Sequence, residues 1–395
     1  MNIPEYVSFT LTRLEERGFS AYLVGGCVRD FIMGIQPHDF DITTKASPDE
    51  IEECFSDIKT LDIGKKHGTI TLVFDKENVE VTTYRIDGEY KDSRHPESVT
   101  FTDRIEDDLA RRDFTMNAIA YSPKRGFVDP FDGKKDIETG VIRSVGDARL
   151  RFEEDALRIM RALRFSSRLG FEIENETMAA IFEKKHLLSN IAYERINSEL
   201  CGILEGEFVG NVILSFYDVF RQIVPEISSL DYDTCSRASS YDRLTQLVSF
   251  FSHFDDARLL TDVMKRLKFD SKTIKSVCSI VPLFNVYFTK ASDYDVKKAV
   301  SIIGVDDTAV LYRALYCHTR DSRHIDALIR LSELVGENAC MNVKQLCVKG
   351  NEIIEKYNIN PSMTGVILSK LLDDVISDRI PNEKDALLEQ TKRYI

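Results

Sequence analysis

The sequence predicts an α+β head over residues 1–145 followed by an all-helical remainder, on two observations. Strand-like and helix-like runs are mixed through the head, a pattern that fits an α+β or an α/β arrangement. Beyond residue 150 the strand signals nearly vanish and apolar residues recur at helical spacing. At 395 residues with 43% hydrophobic content, the chain is long enough for several separate cores.

Residues 5–18 carry the apolar spacing of a helix, and Ala21-Tyr22-Leu23-Val24 reads as a short strand. Strand-like runs follow at 39–43, 69–74 and 78–85. Ser47-Pro48-Asp49-Glu50 joins an N-cap serine, a proline at the first helical position and a glutamate three residues after the cap, so a helix is expected to start near residue 48. Past the head, Ala156 to Phe165 and Met178 to Leu187 have helical spacing. Breaks near Glu205-Gly206, from Ser228 to Asp242 and near Gly336-Glu337-Asn338 give four expected parts: head 1–145, neck 146–205, body 206–335 and tail 336–395.

Composition excludes several classes. No apolar run reaches the roughly 18 residues of a membrane span, and the first thirty residues lack a basic segment, apolar run and cleavage site, so a cytoplasmic address is expected. The eight cysteines contain no Cys-x-x-Cys pair, which argues against a zinc site or a disulfide framework and for buried reduced thiols. A net charge of −13 is unusual for a nucleic-acid binder, but charge is unevenly spread. Six arginines against three acids fall between Arg149 and Arg168, and the last 56 residues are neutral, so an RNA-contacting stripe remains open.

The strongest local signal is Leu23-Val24-Gly25-Gly26-Cys27-Val28-Arg29-Asp30, followed by Asp39-Phe40-Asp41. A Gly-Gly pair alone is usually a turn. Between a strand and a helix beginning near Cys27, Gly25 and Gly26 let the backbone approach a ligand, and free amides with Arg29 suit a triphosphate. Asp39 and Asp41, one residue apart on an expected strand, project from the same face and together form a hard-oxygen site for Mg2+. A bare Asp-x-Asp is more often a solvated strand end, and the preceding Gly-Gly-x-x-Arg-Asp reverses that reading. Glu80 reads equally well as a third carboxylate or as an exposed strand residue.

Arg111-Arg112-Asp113-Phe114-Thr115-Met116-Asn117-Ala118 joins phosphate-binding arginines to Asp113 and Asn117, which suit ribose hydroxyls; the competing reading is an ion-pair cluster closing a turn. Asp155 and Arg158 stand three apart on an expected helix from Glu153 to Arg164. Cytosine and adenine both present an amino donor beside an unprotonated ring nitrogen, so a carboxylate plus a guanidinium accepts them and rejects uracil and guanine. An ordinary surface ion pair is the plain alternative. Arg161 and Arg164 either reach phosphates or pair with Glu153 and Glu154.

Together these segments resemble the class II branch of the polymerase-beta-like nucleotidyltransferases, and specifically the bacterial CCA-adding enzymes. Gly25-Gly26-x-x-Arg29-Asp30 with Asp39-x-Asp41 resembles the catalytic motif, and the segment from Arg111 to Ala118 the ribose-selecting one. Asp129-Pro130-Phe131-Asp132-Gly133 is similar to the hinge, Glu154-Asp155-x-x-Arg158 to the amino-acid template, and Glu194-Arg195-Ile196 to a supporting neck motif. The run from Lys349-Gly350-Asn351-Glu352 to Asn382-Glu383 resembles the family's carboxy-terminal domain, although Asn360-Pro361 stands where relatives often have a Gly-Pro turn.

The resemblance implies two metals in the head, base choice in the neck, tRNA gripped by body and tail, and stepwise addition of C, C and A from CTP and ATP. It also implies a mobile loop at Ile86–Pro96 serving the switch to ATP, whose presence favours full CCA addition. The rival readings are a poly(A) polymerase or a CC-only or A-only enzyme of the same fold, and an RNA-binding regulator with a dead head.

Overall fold

The structure, a computed structural model, describes residues 3–37, 39–75, 77–88, 98–287 and 289–395. The chain forms two compact units: Met1–Phe208 with Phe216–Ile223, and Val209–Ser215 with Val224–Ile395.

The first unit opens with α1 (Glu5–Glu16), whose Val7, Leu11 and Leu14 recur at helical spacing and are buried. β1 (Ala21–Val24) passes directly into α2 (Gly26–Ile32). Then come β2 (Asp41–Thr44), α3 (Pro48–Cys54), β3 (Lys59–Leu61), β4 (Thr69–Phe74), β5 (Glu77–Thr83), β6 (Arg85–Asp87) and β7 (Val99–Phe101). α4 (Ile105–Ala110), β8 (Ala120–Ser122), β9 (Gly126–Val128), α5 (Gly133–Thr139) and β10 (Val141–Ile142) follow. The seven-stranded sheet has the order β3-β4-β5-β2-β1-β8-β9, with β2 and β5 parallel and its other neighbours antiparallel. α3 starts as expected: Ser47 and Glu50 close a capping box around Pro48.

Helices then dominate. α6 (Ala148–Glu154) and α7 (Leu157–Leu169) precede β11 (Glu172–Ile173), which pairs in parallel with β10, and α8 (Asn175–Lys184) and α9 (Tyr193–Leu204) follow. α10 (Val209–Ile223) is interrupted at Phe216, whose backbone is not helical.

The second unit holds α11 (Tyr232–Ala238), α12 (Arg243–Phe250), α13 (Ala257–Arg266), α14 (Ser271–Tyr287), α15 (Asp293–Ile303), α16 (Val305–Thr319) and α17 (Ser322–Gly336). α18 (Gly350–Tyr357), α19 (Pro361–Ile376) and α20 (Lys384–Thr391) close it around Leu346, Ile353, Ile367, Leu371 and Leu387. Each such fully buried aliphatic side chain contributes about 1.5–3 kcal/mol. Asn360 caps α19 with Pro361 at its first turn, so this departure from the family pattern serves as a helix start. All eight cysteines are free, five of them buried.

The fold class is α+β with a helical remainder, and several local expectations are corrected. The strand expected over 39–43 begins only at Asp41. Asp41 pairs with Val24, and two residues further along, opposite Asp39, the chain has already entered α2, so the ladder has no partner there. The irregular segment expected from Ile86 starts inside β6, which pairs with β7; residues 89–97 lie outside the described residues. The polar stretch from Ser228 to Asp242 contains α11, capped by Asp231 through the Thr234 amide. The single helix expected from Glu153 to Arg164 is two helices broken at Asp155.

Candidate active site and nucleotide grip

The sheet register assembles an acidic row. Val24 lies opposite Asp41, and Asp41 opposite Glu80. Both carboxylates are therefore on one face of the sheet. Asp39 follows the strand pattern one step outside the ladder, close enough for its charge to act on Asp41. Protein crowding pushes the Asp41 carboxyl above its ordinary range; Arg112 pulls it down, and Asp39 pushes it up. Desolvation and the Asp41 charge likewise raise Glu80.

The glycine turn above the row is stereochemically required. Gly25 has φ of 74°, and a Cβ there would sit 3.2 Å from Nη1 of Arg112 and 3.9 Å from Oδ2 of Asp41. α2 has only 7 residues, so its dipole is short and Arg29, in its last turn, carries more of the local positive charge.

The segment after α4 anchors its arginines inward. Asp108, fully buried, receives Arg111 Nη2 at 2.8 Å and Arg112 Nη2 at 3.3 Å. Burial alone would raise Asp108, but the two guanidiniums hold its carboxyl below the usual range. Arg29 donates to Asn117 Oδ1 at 2.9 Å, Asn117 Nδ2 to Asp113 Oδ1 at 3.2 Å, and Arg161 Nε to Asp113 Oδ2 at 2.8 Å. Asp113 also accepts the Phe114 amide and a second Arg161 N–H, at 2.8 and 2.6 Å. Asp113 therefore braces Arg161 through Oδ2 while Oδ1 accepts the Phe114 amide and Asn117. Despite desolvation, Arg161 and Asn117 depress its carboxyl.

The break between α6 and α7 places Asp155 and Arg158. Asp155 is extended, with φ of −146° and ψ of 101°, and its Oδ1 accepts the Leu157 amide at 3.0 Å. Arg195 from α9 binds both Asp155 oxygens, at 3.3 and 2.7 Å. Arg158, 8% exposed, donates to Glu154 at 2.7 Å and to the Arg151 and Arg111 carbonyls, each at 3.2 Å. Asp155 and Arg158 are therefore not the surface ion pair of the plain alternative; each is fixed by another partner. By lone-pair and donor count, Asp155 keeps one acceptor position and Arg158 two N–H groups beyond these bonds among the described residues.

Comparison with known proteins follows this geometry. The Poly A polymerase head domain matches residues 21–143, and a tRNA nucleotidyltransferase domain 2 matches 245–391. The chain is 33% identical to a CCA-adding enzyme of Leuconostoc mesenteroides, covering 98% of this chain and 95% of that protein. It is 34% identical to one of Staphylococcus aureus, covering 98% and 96%. The chain belongs to the CCA-adding enzyme family. It is therefore a nucleotidyltransferase. Among solved structures, the CCA-adding enzyme of Bacillus stearothermophilus in complex with CTP matches with a TM-score of 0.76 at 27% identity, over 98% of this chain and 96% of that one. That of Thermotoga maritima complexed with tRNA shares the fold, with a TM-score of 0.71 at 22% identity over 99% and 96%.

For a member of the CCA-adding enzyme family, several positioning side chains escaped sequence reading. Asp108 and Glu199 are buried acids whose arginine partners lie on other turns or helices; Glu199 holds Arg164 at 3.0 Å. Arg164 thus pairs with neither Glu153 nor Glu154. Arg195 was read only as part of a supporting motif, and its bond to Asp155 spans 40 residues. Phe165 gave no polar signal.

The acidic row fits a hard divalent cation, since Asp41 and Glu80 present oxygen ligands on one face. Desolvation by the surrounding protein, then neighbouring carboxylates, raise both carboxyls, although Arg112 pulls Asp41 down. No three His, Cys, Asp or Glu side chains among the described residues form a ready metal cluster, so Glu80 does not complete a cage. No helix among them is long and apolar enough to cross a membrane.

Proposed function

We propose that the chain extends the 3′ end of tRNA by C, C and A from CTP and ATP, releasing pyrophosphate, with base choice made by protein side chains. The observation that carries this reading is the helix break at Asp155. It leaves an acceptor on Asp155 and donors on Arg158 within one turn, where the Arg158 amide bonds the Asp155 carbonyl at 3.0 Å. One acceptor and one donor match the shared edge of cytosine and adenine and oppose that of uracil and guanine.

Asp39 and Asp41 are the residues that would hold magnesium, which binds through one or two carboxylates together with substrate phosphates. When bound, it supplies charge for the reacting oxygens and the leaving pyrophosphate. Gly25 and Gly26 let the nucleotide approach, and Arg29, Arg112, Arg161 and Arg164 bind its phosphates, with Arg111 held beside them by Asp108. Asp113 and Asn117 act on the sugar by fixing Arg29 and Arg161. We assign head 1–145 to catalysis, neck 146–205 to the nucleotide, and body 206–335 with tail 336–395 to tRNA. A cytoplasmic address accompanies the tRNA substrate. A poly(A) polymerase is disfavoured by relatives that are CCA-adding enzymes over nearly the whole length.

The test supplies magnesium, CTP and ATP, singly and together, to tRNAs ending before C, after CC and after CCA. Growth to CCA followed by arrest supports the proposal; an unbounded A ladder, arrest at CC, or no growth refutes it. In the same assay Asp155→Ala should admit UTP and GTP, a loss of about 1–3 kcal/mol of discrimination. Unchanged selectivity would remove Asp155 from the template.

A further inference from the structure

Three guanidiniums share one aromatic ring. Arg29, Arg161 and Arg164 place their Cζ atoms 5.2, 5.5 and 5.3 Å from the ring centroid of Phe165. A significant cation–π contact occurs about once per 70–80 residues, so three on a single ring need a cause beyond general packing. The cations come from two places: Arg29 from the last turn of α2, and Arg161 and Arg164 from α7, the helix of Phe165 itself. The ring is 8% exposed and braced edge-on by Phe114 at 5.8 Å and 85°.

Each arginine is also tied to its own acid: Arg29 to Asp30 at 2.6 Å, Arg161 to Asp113 at 2.6 Å and Arg164 to Glu199 at 3.0 Å. Asn117 links Arg29 to the Asp113 that holds Arg161, but Arg164 has a separate acid, so these polar bonds do not bring all three cations together. The negative face of the ring is the group common to all three, and it offsets the mutual repulsion of charges that would otherwise spread apart. A leucine here would fill the core but would offer no such attraction.

We propose that Phe165 is a positioning residue for the reaction, its ring gathering Arg29, Arg161 and Arg164 into a preformed cluster for the phosphates of the incoming nucleotide. This rests on the reading of those arginines as the phosphate grip. Without the ring the three side chains keep their own acids but lose the one contact they share. An arriving triphosphate must then complete their mutual alignment, and that ordering is lost from its affinity. The burden falls on CTP and ATP alike, because the cluster touches the part they share.

The test is steady-state extension by the full-length protein with Phe165→Leu, Phe165→Met and Phe165→Tyr, alongside inhibition by inorganic tripolyphosphate and by free cytidine. Leu and Met keep apolar bulk without the quadrupole; Tyr keeps both. The expected result is a KM raised about tenfold for CTP and ATP together in the Leu and Met variants, with kcat little changed and near-normal KM in the Tyr variant. Tripolyphosphate inhibition should weaken by a similar factor and cytidine inhibition should hold. A lowered Tm with unchanged KM and tripolyphosphate inhibition in whichever of the Leu and Met variants folds would make Phe165 core only and overturn the inference. So would failure of both variants to fold while Tyr folds with normal KM. Arg161→Ala separates the two readings. If it weakens tripolyphosphate while the Phe165 variants do not, the inference alone fails; if it also leaves tripolyphosphate unaffected, the phosphate-grip reading fails with it.

Discussion

The acids of the β2–β5 row and those bound to arginines after α4 differ in how their charge is met. Asp41 and Glu80 keep solvent-exposed side chains whose carboxyls are raised by desolvation from the surrounding protein, Asp41 further by Asp39 and Glu80 by Asp41. Asp108 is buried and Asp113 half-buried, yet arginines hold them down. A carboxylate that must accept a ligand is left short of positive charge, whereas one that must hold an arginine in place has its partner built in. Arg112, shared between Asp108 and the neighbourhood of Asp41, marks the border between the two regimes.

The largest effect should come from the row. Asp41→Ala, or Asp39→Ala, is expected to reduce incorporation of both nucleotides by about a thousandfold or more, because several kcal/mol of transition-state charge stabilisation depend on the cation it binds. Thermal unfolding should show little loss of stability for Asp41→Ala, since desolvation raises the Asp41 carboxyl more than Arg112 lowers it. Turnover near wild type would end the metal assignment.

Asp108→Ala should do the reverse. It removes a fully buried acid that holds two half-buried guanidiniums, and breaking such a pair costs about 3–5 kcal/mol of stability. Urea denaturation measures this, and a cost below about 1 kcal/mol would show that Arg111 and Arg112 find other partners.

The smallest effect is a difference in pH dependence. The folded-state carboxyl of Asp113 is lowered, so the stability it contributes is complete above its unfolded value of about 3.9 and is lost as pH falls through the lower folded value. The gap between wild type and Asp113→Asn should therefore stay constant from neutrality to about pH 4 and shrink below that. Glu199 is raised, chiefly by burial. Its ionisation costs stability as pH rises from about 4.3 through the folded value, so Glu199→Gln should be less harmful at pH 7 than at pH 4. Parallel profiles for the two variants would erase the distinction.

Features set by neighbouring residues were legible in the sequence. The Ser47–Glu50 capping box, the strand-to-helix passage at Gly25-Gly26 and the Asp-x-Asp spacing depend on chain chemistry within a few positions. The helix break was not, because Glu153 to Arg164 is rich in good helix formers and the break depends on Arg195 drawing Asp155 out from 40 positions away. A weaker signal was available, since aspartate favours the start of a helix and Asp155 accepts the Leu157 amide. The same signal at Asp231 marks α11 inside a stretch read as loop. Glu199 acts through Arg164 on another helix and Phe165 partly through the distant Arg29, which only the fold brings near. Asp108 instead pairs with Arg111 and Arg112 at local i,i+3 and i,i+4 spacing, and only its burial was hidden from the sequence.

As the proposed reading pair, Asp155 and Arg158 would also limit how the choice of nucleotide can drift. Asp155 is held by Arg195 and Arg158 by Glu154, so a single substitution at either releases an anchor as well as altering the proposed recognition edge. Ancestors on a path to another base would have had to pass through forms that discriminate poorly. Selection on tRNA quality would remove them unless the anchors changed in concert.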